Sequence, residues 1–143
     1  MIKKLFQTDV YHQYLSSWML LLRVLIAAFM LTHGFPKFLR LFGPEEINFG
    51  DPIGIGPIAS FILVVFAEAF CSILIALGLG TRLATIPLII NLLVAGFIAH
   101  SADPFGRKEL AFMYLLIYVT LLIIGAGKYS IDHLISKKWD SNR

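Results

Sequence analysis

Residues 58–79 read IASFILVVFAEAFCSILIALGL, twenty-two positions with one ionisable side chain, Glu68. At about 1.5 Å per residue, such a run reaches roughly 33 Å as a helix, enough to cross the hydrocarbon core of a bilayer. Pro57 precedes it and the tight turn Gly80-Thr81-Arg82 follows, so it is expected to form a hairpin with the next apolar stretch. Stretches of the same kind occupy residues 17–33, 83–99 and 110–125. The expected fold is all-α: an integral membrane four-helix bundle, one domain over residues 1–143, with helices at about 17–33, 58–79, 83–99 and 110–125. A short cytoplasmic C-terminal interfacial segment follows.

Composition supports this reading. The chain is 58% hydrophobic and 15% charged. A soluble protein of this size has too little interior to hide that much apolar side chain, so lipid is the expected partner. The net charge of +3 is small and the basic residues sit at segment ends, which suits a membrane surface and not nucleic acid. The first stretch follows a polar lead of 16 residues, contains Arg23 and ends in His-Gly-Phe-Pro-Lys, unlike a cleavable signal peptide. Cys71 is the single cysteine, so the chain has no disulfide or CxxC pair of its own, and the residue reads as a small hydrophobe.

Between the first two stretches, residues 34–57 hold Pro36, Pro44, Pro52 and Pro57 and read as a long loop. Residues 101–108 are a short polar connection with Asp103-Pro104, and Ser130 is placed to cap a short tail helix whose Lys137 and Trp139 suit the interface. Seven lysines and arginines fall on the side of the termini and four on the other. The positive-inside rule then predicts both termini in the cytoplasm of a cell whose inner (plasma) membrane the chain crosses several times.

Charges inside the helices are the informative residues, because each costs free energy in lipid. Arg23 and Glu68 are the deepest and have opposite signs. Counted from the cytoplasmic ends, they differ in height by roughly 7 Å, and the expectation is that they pair in the interior. The competing reading has Arg23 snorkelling to the surface and Glu68 protonated. Ala27 and Gly34 share the Arg23 face and Ser72 the Glu68 face, as close helix packing requires.

A second group collects on the non-cytoplasmic side. His33 ends the first helix with Lys37 a turn beyond it, His100 ends the third, Asp103 follows, and Glu109 opens the fourth. His33, His100 and Glu109 are expected to converge on a vestibule reaching down toward Glu68. Imidazoles beside carboxylates suit proton transfer; histidines at a helix–water boundary are as often merely solvated. Asn91 in the third helix is expected to face the interior, yet at 100° per residue His100 then falls on the opposite face unless the helix unwinds late. Tyr114 and Tyr118 share a face of the fourth helix, a pattern that is more often packing than site.

In order, Arg23, His33-Gly34-x-Pro36-Lys37, Glu68, Leu77-Gly78-Leu79-Gly80-Thr81-Arg82, His100 before Asp103-Pro104, Glu109, and Gly125-x-Gly127-x-Tyr129-Ser130-x-Asp132 resemble the DoxX family of small membrane proteins. The resemblance runs from about residue 23 to 132. It departs at Cys71-Ser72, where relatives usually place glycines. It implies a four-helix inner-membrane protein. Some members resemble the small subunit of thiosulfate:quinone oxidoreductase, and others are linked to complexes handling thiols and oxidative stress. Quinone is the redox partner it implies.

Three functions are weighed. The first is a subunit of a quinone-linked oxidoreductase, with candidate catalytic residues Glu68, His33 and His100, and candidate ligand-binding residues Arg23, His33, Lys37, Glu68, Asn91, His100 and Glu109. The chain has no dinucleotide-binding glycines and no cysteine cluster, so other subunits would bring electrons. Haem held by His33 and His100 is a lesser reading and requires helices one and three to be neighbours. No metal site is expected. The second function is a non-enzymatic scaffold or assembly factor, in a larger complex or a homo-oligomer. The third is a small-solute carrier, for which four unbroken helices are poor material.

Overall fold

The structure is a computed structural model and describes residues 12–141. The chain's polar lead up to residue 11, with Lys3 and Lys4, and Arg143 at the other end lie outside the described residues. Those described form helices and connections, with no strand among them. Helix α1 spans His12–Leu41, α2 Pro57–Leu77, α3 Thr81–Ala99, α4 Phe105–Ile124 and α5 Ile131–Asp140.

By length and composition, α1, α2 and α3 are fit to cross a membrane. Helix α4 has 20 residues, with Arg107, Lys108 and Glu109 near its start, and packs along α3 to complete the bundle. The outside of the bundle is apolar: Phe29, Ile62, Phe70, Ile90, Phe97 and Leu116 are all exposed. A helix pair with this much apolar exterior has lipid as its natural solvent. Inside, Ile26, Ala27 and Met30 of α1 meet Ala67, Cys71 and Ile75 of α2, Leu88 and Leu92 of α3, and Tyr118 and Leu121 of α4. Cys71 is buried and free, as a small hydrophobe would be.

The main departure from the sequence reading is at α1. Its helix was expected to stop at His33, but it runs through Gly34, Pro36 and Lys37 to Leu41. The connection to α2 is correspondingly shorter, residues 42–56. Pro36 removes one N–H from the helix, which the packing around Gly34 tolerates because membrane helices have neighbours to brace them. Lys37 therefore projects from a helix and not from a loop.

Two helices contain a wide turn. In α2 it covers Phe66–Cys71, around Glu68; in α3 it covers Ala95–Ala99, just before His100. Each wide turn carries an extra residue, which sets later side chains back by about 100°. That resolves the conflict between Asn91 and His100, since after the wide turn the two residues border one cavity.

The ends are tied by specific contacts. Asp51 caps the start of α2, accepting from Ile55 N (3.0 Å), Gly56 N (2.8 Å) and Ser60 Oγ (2.9 Å). These bonds, that from the Gly56 amide foremost, hold its carboxyl below the usual aspartate range. Ser130 caps α5, accepting from His133 N at 3.1 Å, as its position in the sequence suggested. Helix α5 turns Asp132, His133 and Ser136 toward a groove on the bundle and leaves Leu134, Ile135 and Trp139 exposed.

Candidate functional site

Gly34 sets the geometry of the site. A Cβ placed there would lie 2.5 to 2.7 Å from the backbone of Glu68 and Ala69, so α1 and α2 touch at this level only because residue 34 has no side chain. Lys37 is then one turn above Glu68. Its Nζ donates to Glu68 Oε2 at 2.5 Å. On the other side, Asn91 Nδ2 donates to Glu68 Oε1 at 3.0 Å. Glu68 is thus held from α1 and from α3, and it is buried, with Lys37 about one third exposed.

This carboxylate borders a cavity of about 450 Å³ between α2, α3 and the 42–56 connection. Its walls are apolar: Leu63, Val64, Phe66, Ile90 and Val94 from the helices, and Phe49, Pro52 and Ile53 from the connection. Lys37, Glu68, Asn91, Ser60 and His100 supply the polar groups. The volume falls within the range of small-molecule pockets, and an apolar chamber with a few convergent polar groups is the usual form of such sites. Both wide helical turns border it. His100 Nδ1 lies 2.8 Å from Asp103 Oδ2, and Arg107 reaches the other oxygen of Asp103 at 3.4 Å. The His100 hydrogen bond, with Arg107 and Lys108 nearby, holds the Asp103 carboxyl below the usual range.

The expected pairing of Arg23 with Glu68 is corrected by these contacts. Gly34 is level with Glu68, and Arg23 is eleven residues below Gly34, roughly 16 Å along the helix. Arg23 is buried instead against the turn after α2 and the tail. Its Nη2 donates to Tyr129 O at 2.6 Å, and its guanidinium fills the place a side chain on Gly78 would need. Asp132 is the nearby countercharge, and its carboxylate accepts from Gly80 N (2.6 Å) and Thr81 N (2.9 Å) while its own N–H donates to Gly78 O (2.9 Å). Counting heights from the expected helix ends missed this, because α1 is already helical from His12 and Arg23 is level with Gly78 at the end of α2, not several residues inside it.

The cavity brings together Lys37, Glu68, Asn91 and His100 and leaves out Arg23, His33 and Glu109. His33 is exposed and packs edge-on against Tyr114, with ring centroids 6.2 Å apart. Glu109 is exposed on the first turns of α4. Tyr114 and Tyr118 stack in the core and do not line the cavity. Among the described residues no cluster of three or more His, Cys, Asp or Glu side chains could hold a metal ion. The sequence reading missed Ser60, near the start of α2, and Phe49 and Pro52 of the connection; for the last two the signal was the Pro- and Gly-rich connection, whose length is itself a mark of function.

The family model for DoxX matches residues 18–101, which carry Gly34, Lys37, Glu68, Asn91 and His100. The chain belongs to the DoxX family. Among similar proteins, the Mycobacterium tuberculosis membrane protein Rv3486 is 32% identical over 82% of this chain and 80% of its own length. The inner membrane protein YqjF of Escherichia coli is 30% identical over 84% and 93%. A Haemophilus influenzae protein is 30% identical over 88% and 96%. No solved structure matches the chain. This DoxX protein is a membrane protein, and each of these relatives matches it over about four fifths or more of both chains.

Proposed function

We propose that this DoxX protein binds a lipid-soluble quinone in the cavity beside Glu68 and serves as a membrane subunit of a quinone-linked redox complex in the inner membrane. The observation that carries the reading is the Lys37–Glu68–Asn91 cluster bordering an otherwise apolar chamber of about 450 Å³. An isoprenoid quinone has the matching shape: an oily tail and a flat head whose oxygens need hydrogen-bonding partners. Several chamber walls, Leu63, Phe66 and Ile90 among them, are also exposed on the apolar exterior, so a lipid-dissolved ligand has a sideways approach. His100 with Asp103 supplies a proton-exchanging group near the water side. With one cysteine and no dinucleotide-binding glycines, the chain would take electrons from a partner subunit. The basic-residue count puts both termini in the cytoplasm.

The test is to purify the protein from quinone-containing membranes into nanodiscs and quantify quinone per chain in the lipid extract. Near-stoichiometric quinone in the wild type, falling severalfold in Asn91→Leu and Glu68→Gln, is the expected result. Quinone at the bulk level in all three proteins would leave the scaffold function as the better account.

A further inference from the structure

The quinone reading leaves open which redox form the site prefers, and the donor and acceptor inventory around Glu68 answers it. We infer that the chamber selects the reduced, hydroxyl-bearing quinol over the quinone. The inference rests on the quinone reading above and adds a direction to it.

An ionised carboxylate is an acceptor only, with about four lone-pair sites. Lys37 and Asn91 each occupy one on Glu68, so acceptor capacity remains. Asn91 has given an N–H to Glu68, and its carbonyl oxygen is a further acceptor. His100 is turned by Nδ1 to Asp103, and when that nitrogen carries the proton its second ring nitrogen accepts. The donors left over are the remaining N–H groups of Lys37 and Asn91.

A quinone carbonyl only accepts. Seated against this cluster, it would use the Lys37 or Asn91 N–H groups but would cover the remaining lone pairs of Glu68 and strip them of water. Buried acceptors left without a partner are costly, and charged ones the more so. A quinol hydroxyl both donates and accepts, so it satisfies the carboxylate while taking a bond from Lys37 or Asn91. Its bond to the carboxylate is charge-assisted and correspondingly strong. The tail meets the same apolar walls in both forms, and the quinol's second hydroxyl has His100 on the chamber wall as an acceptor, so the difference arises at the hydroxyls.

The expected preference is about tenfold or more, the size of one buried acceptor satisfied against one left unmade. By linkage, a tenfold preference raises the midpoint potential of the bound two-electron couple by about 30 mV. The raised potential makes bound quinone the better electron acceptor, which suits a complex that delivers a partner subunit's electrons to quinone.

The test is an anaerobic titration of the nanodisc-embedded protein with a short-chain ubiquinol and, separately, the matching ubiquinone. Wild-type protein is expected to bind the quinol at least about tenfold more tightly. In Glu68→Gln, whose amide also donates, the two affinities should come within about threefold of each other. Asn91→Leu, which keeps the carboxylate, provides a second variant should Glu68→Gln fold poorly, and it should narrow the preference less. Equal binding of both forms by the wild type, or tighter binding of the quinone, overturns the redox selectivity while leaving a quinone site intact. No binding of either form overturns the quinone reading itself.

Discussion

The bundle buries a charge at each of two levels, and the two levels are built differently. At one, Arg23 of α1 lies beneath Gly78; at the other, Glu68 of α2 lies beneath Gly34. At Gly78 the Arg23 guanidinium itself takes the room a side chain would need; at Gly34 the backbone of Glu68 and Ala69 does. The spacings agree: eleven residues separate Arg23 from Gly34 on α1 and ten separate Glu68 from Gly78 on α2. The surroundings differ. Around Arg23 the contacts come from the chain itself: Nη2 donates to Tyr129 O, and Asp132 with the amides of Gly80 and Thr81 closes a clasp between the α2–α3 turn and the tail, while Nε and Nη1 are buried without a hydrogen-bond partner among the described residues. Around Glu68 the partners leave lone pairs facing a chamber, and Lys37 is partly exposed. A buried charge can therefore brace a fold or prepare a site, and the deciding feature is whether it borders an open chamber, as Glu68 does and Arg23 does not.

The strongest way to break this contrast is at Arg23. Arg23→Leu removes the guanidinium's bond to Tyr129 O and leaves Asp132 without its nearby countercharge, so a loss of about 1.5–3 kcal/mol is expected, read as an unfolding midpoint in detergent. Gly78→Ala should be nearly as damaging. Residue 78 has φ +70°, and its added Cβ would meet the Arg23 guanidinium. Little change in stability for either variant would dissolve the clasp.

Next comes the contact beneath the site. Gly34→Ala forces α1 from the backbone of Glu68 and is expected to cost about 1–3 kcal/mol, and to lower quinol affinity by disturbing the Lys37–Glu68 distance. Glu68→Gln sharpens the contrast in the opposite sense. Lys37 can reach water when its partner is neutral, so stability should fall by no more than about 1 kcal/mol while quinol binding weakens. A fold collapse in Glu68→Gln equal to that of Arg23→Leu would mean that both charges are structural.

The smallest effect belongs to the chamber's mouth. His100 and its basic neighbours lower the Asp103 carboxyl, so the ordering this carboxylate contributes is present above the unfolded value of about 3.9 and is lost as pH falls through the lower folded value. Amide exchange over residues 100–104 should therefore stay slow at pH 5 and quicken below about pH 4. In Asp103→Asn that dependence should disappear.

Much of the architecture was legible from hydropathy alone, because a run such as residues 58–79 has one stable solvent and one backbone solution. The Ser130 cap, the buried Cys71 and the packing role of Tyr114 and Tyr118 were legible for similarly local reasons; the Asp51 cap was not read. What could not be read was the vertical register of α1 against α2. It is fixed by Gly34, a residue whose lack of a side chain gives it no hydropathy signal, and by a helix that continues past Pro36. With the register shifted, Arg23 was matched with the wrong partner and Lys37 was left in a loop. The wide turns at Glu68 and before His100 were also hidden, since one inserted residue in a helix has no compositional mark. Of the site, Glu68, Lys37, Asn91 and His100 were legible as polar residues in apolar company; His33 and Glu109 looked equivalent because they sit at the same height, and only packing separates them from the cavity.

The most direct test of the two-level account is a pair of double-mutant cycles on unfolding free energy, one crossing Lys37→Met with Glu68→Gln and the other crossing Arg23→Leu with Glu68→Gln. The account predicts coupling of about 1 kcal/mol or more between Lys37 and Glu68, and additivity within about 0.5 kcal/mol between Arg23 and Glu68. Coupling between Arg23 and Glu68, with Lys37 and Glu68 additive, would contradict it.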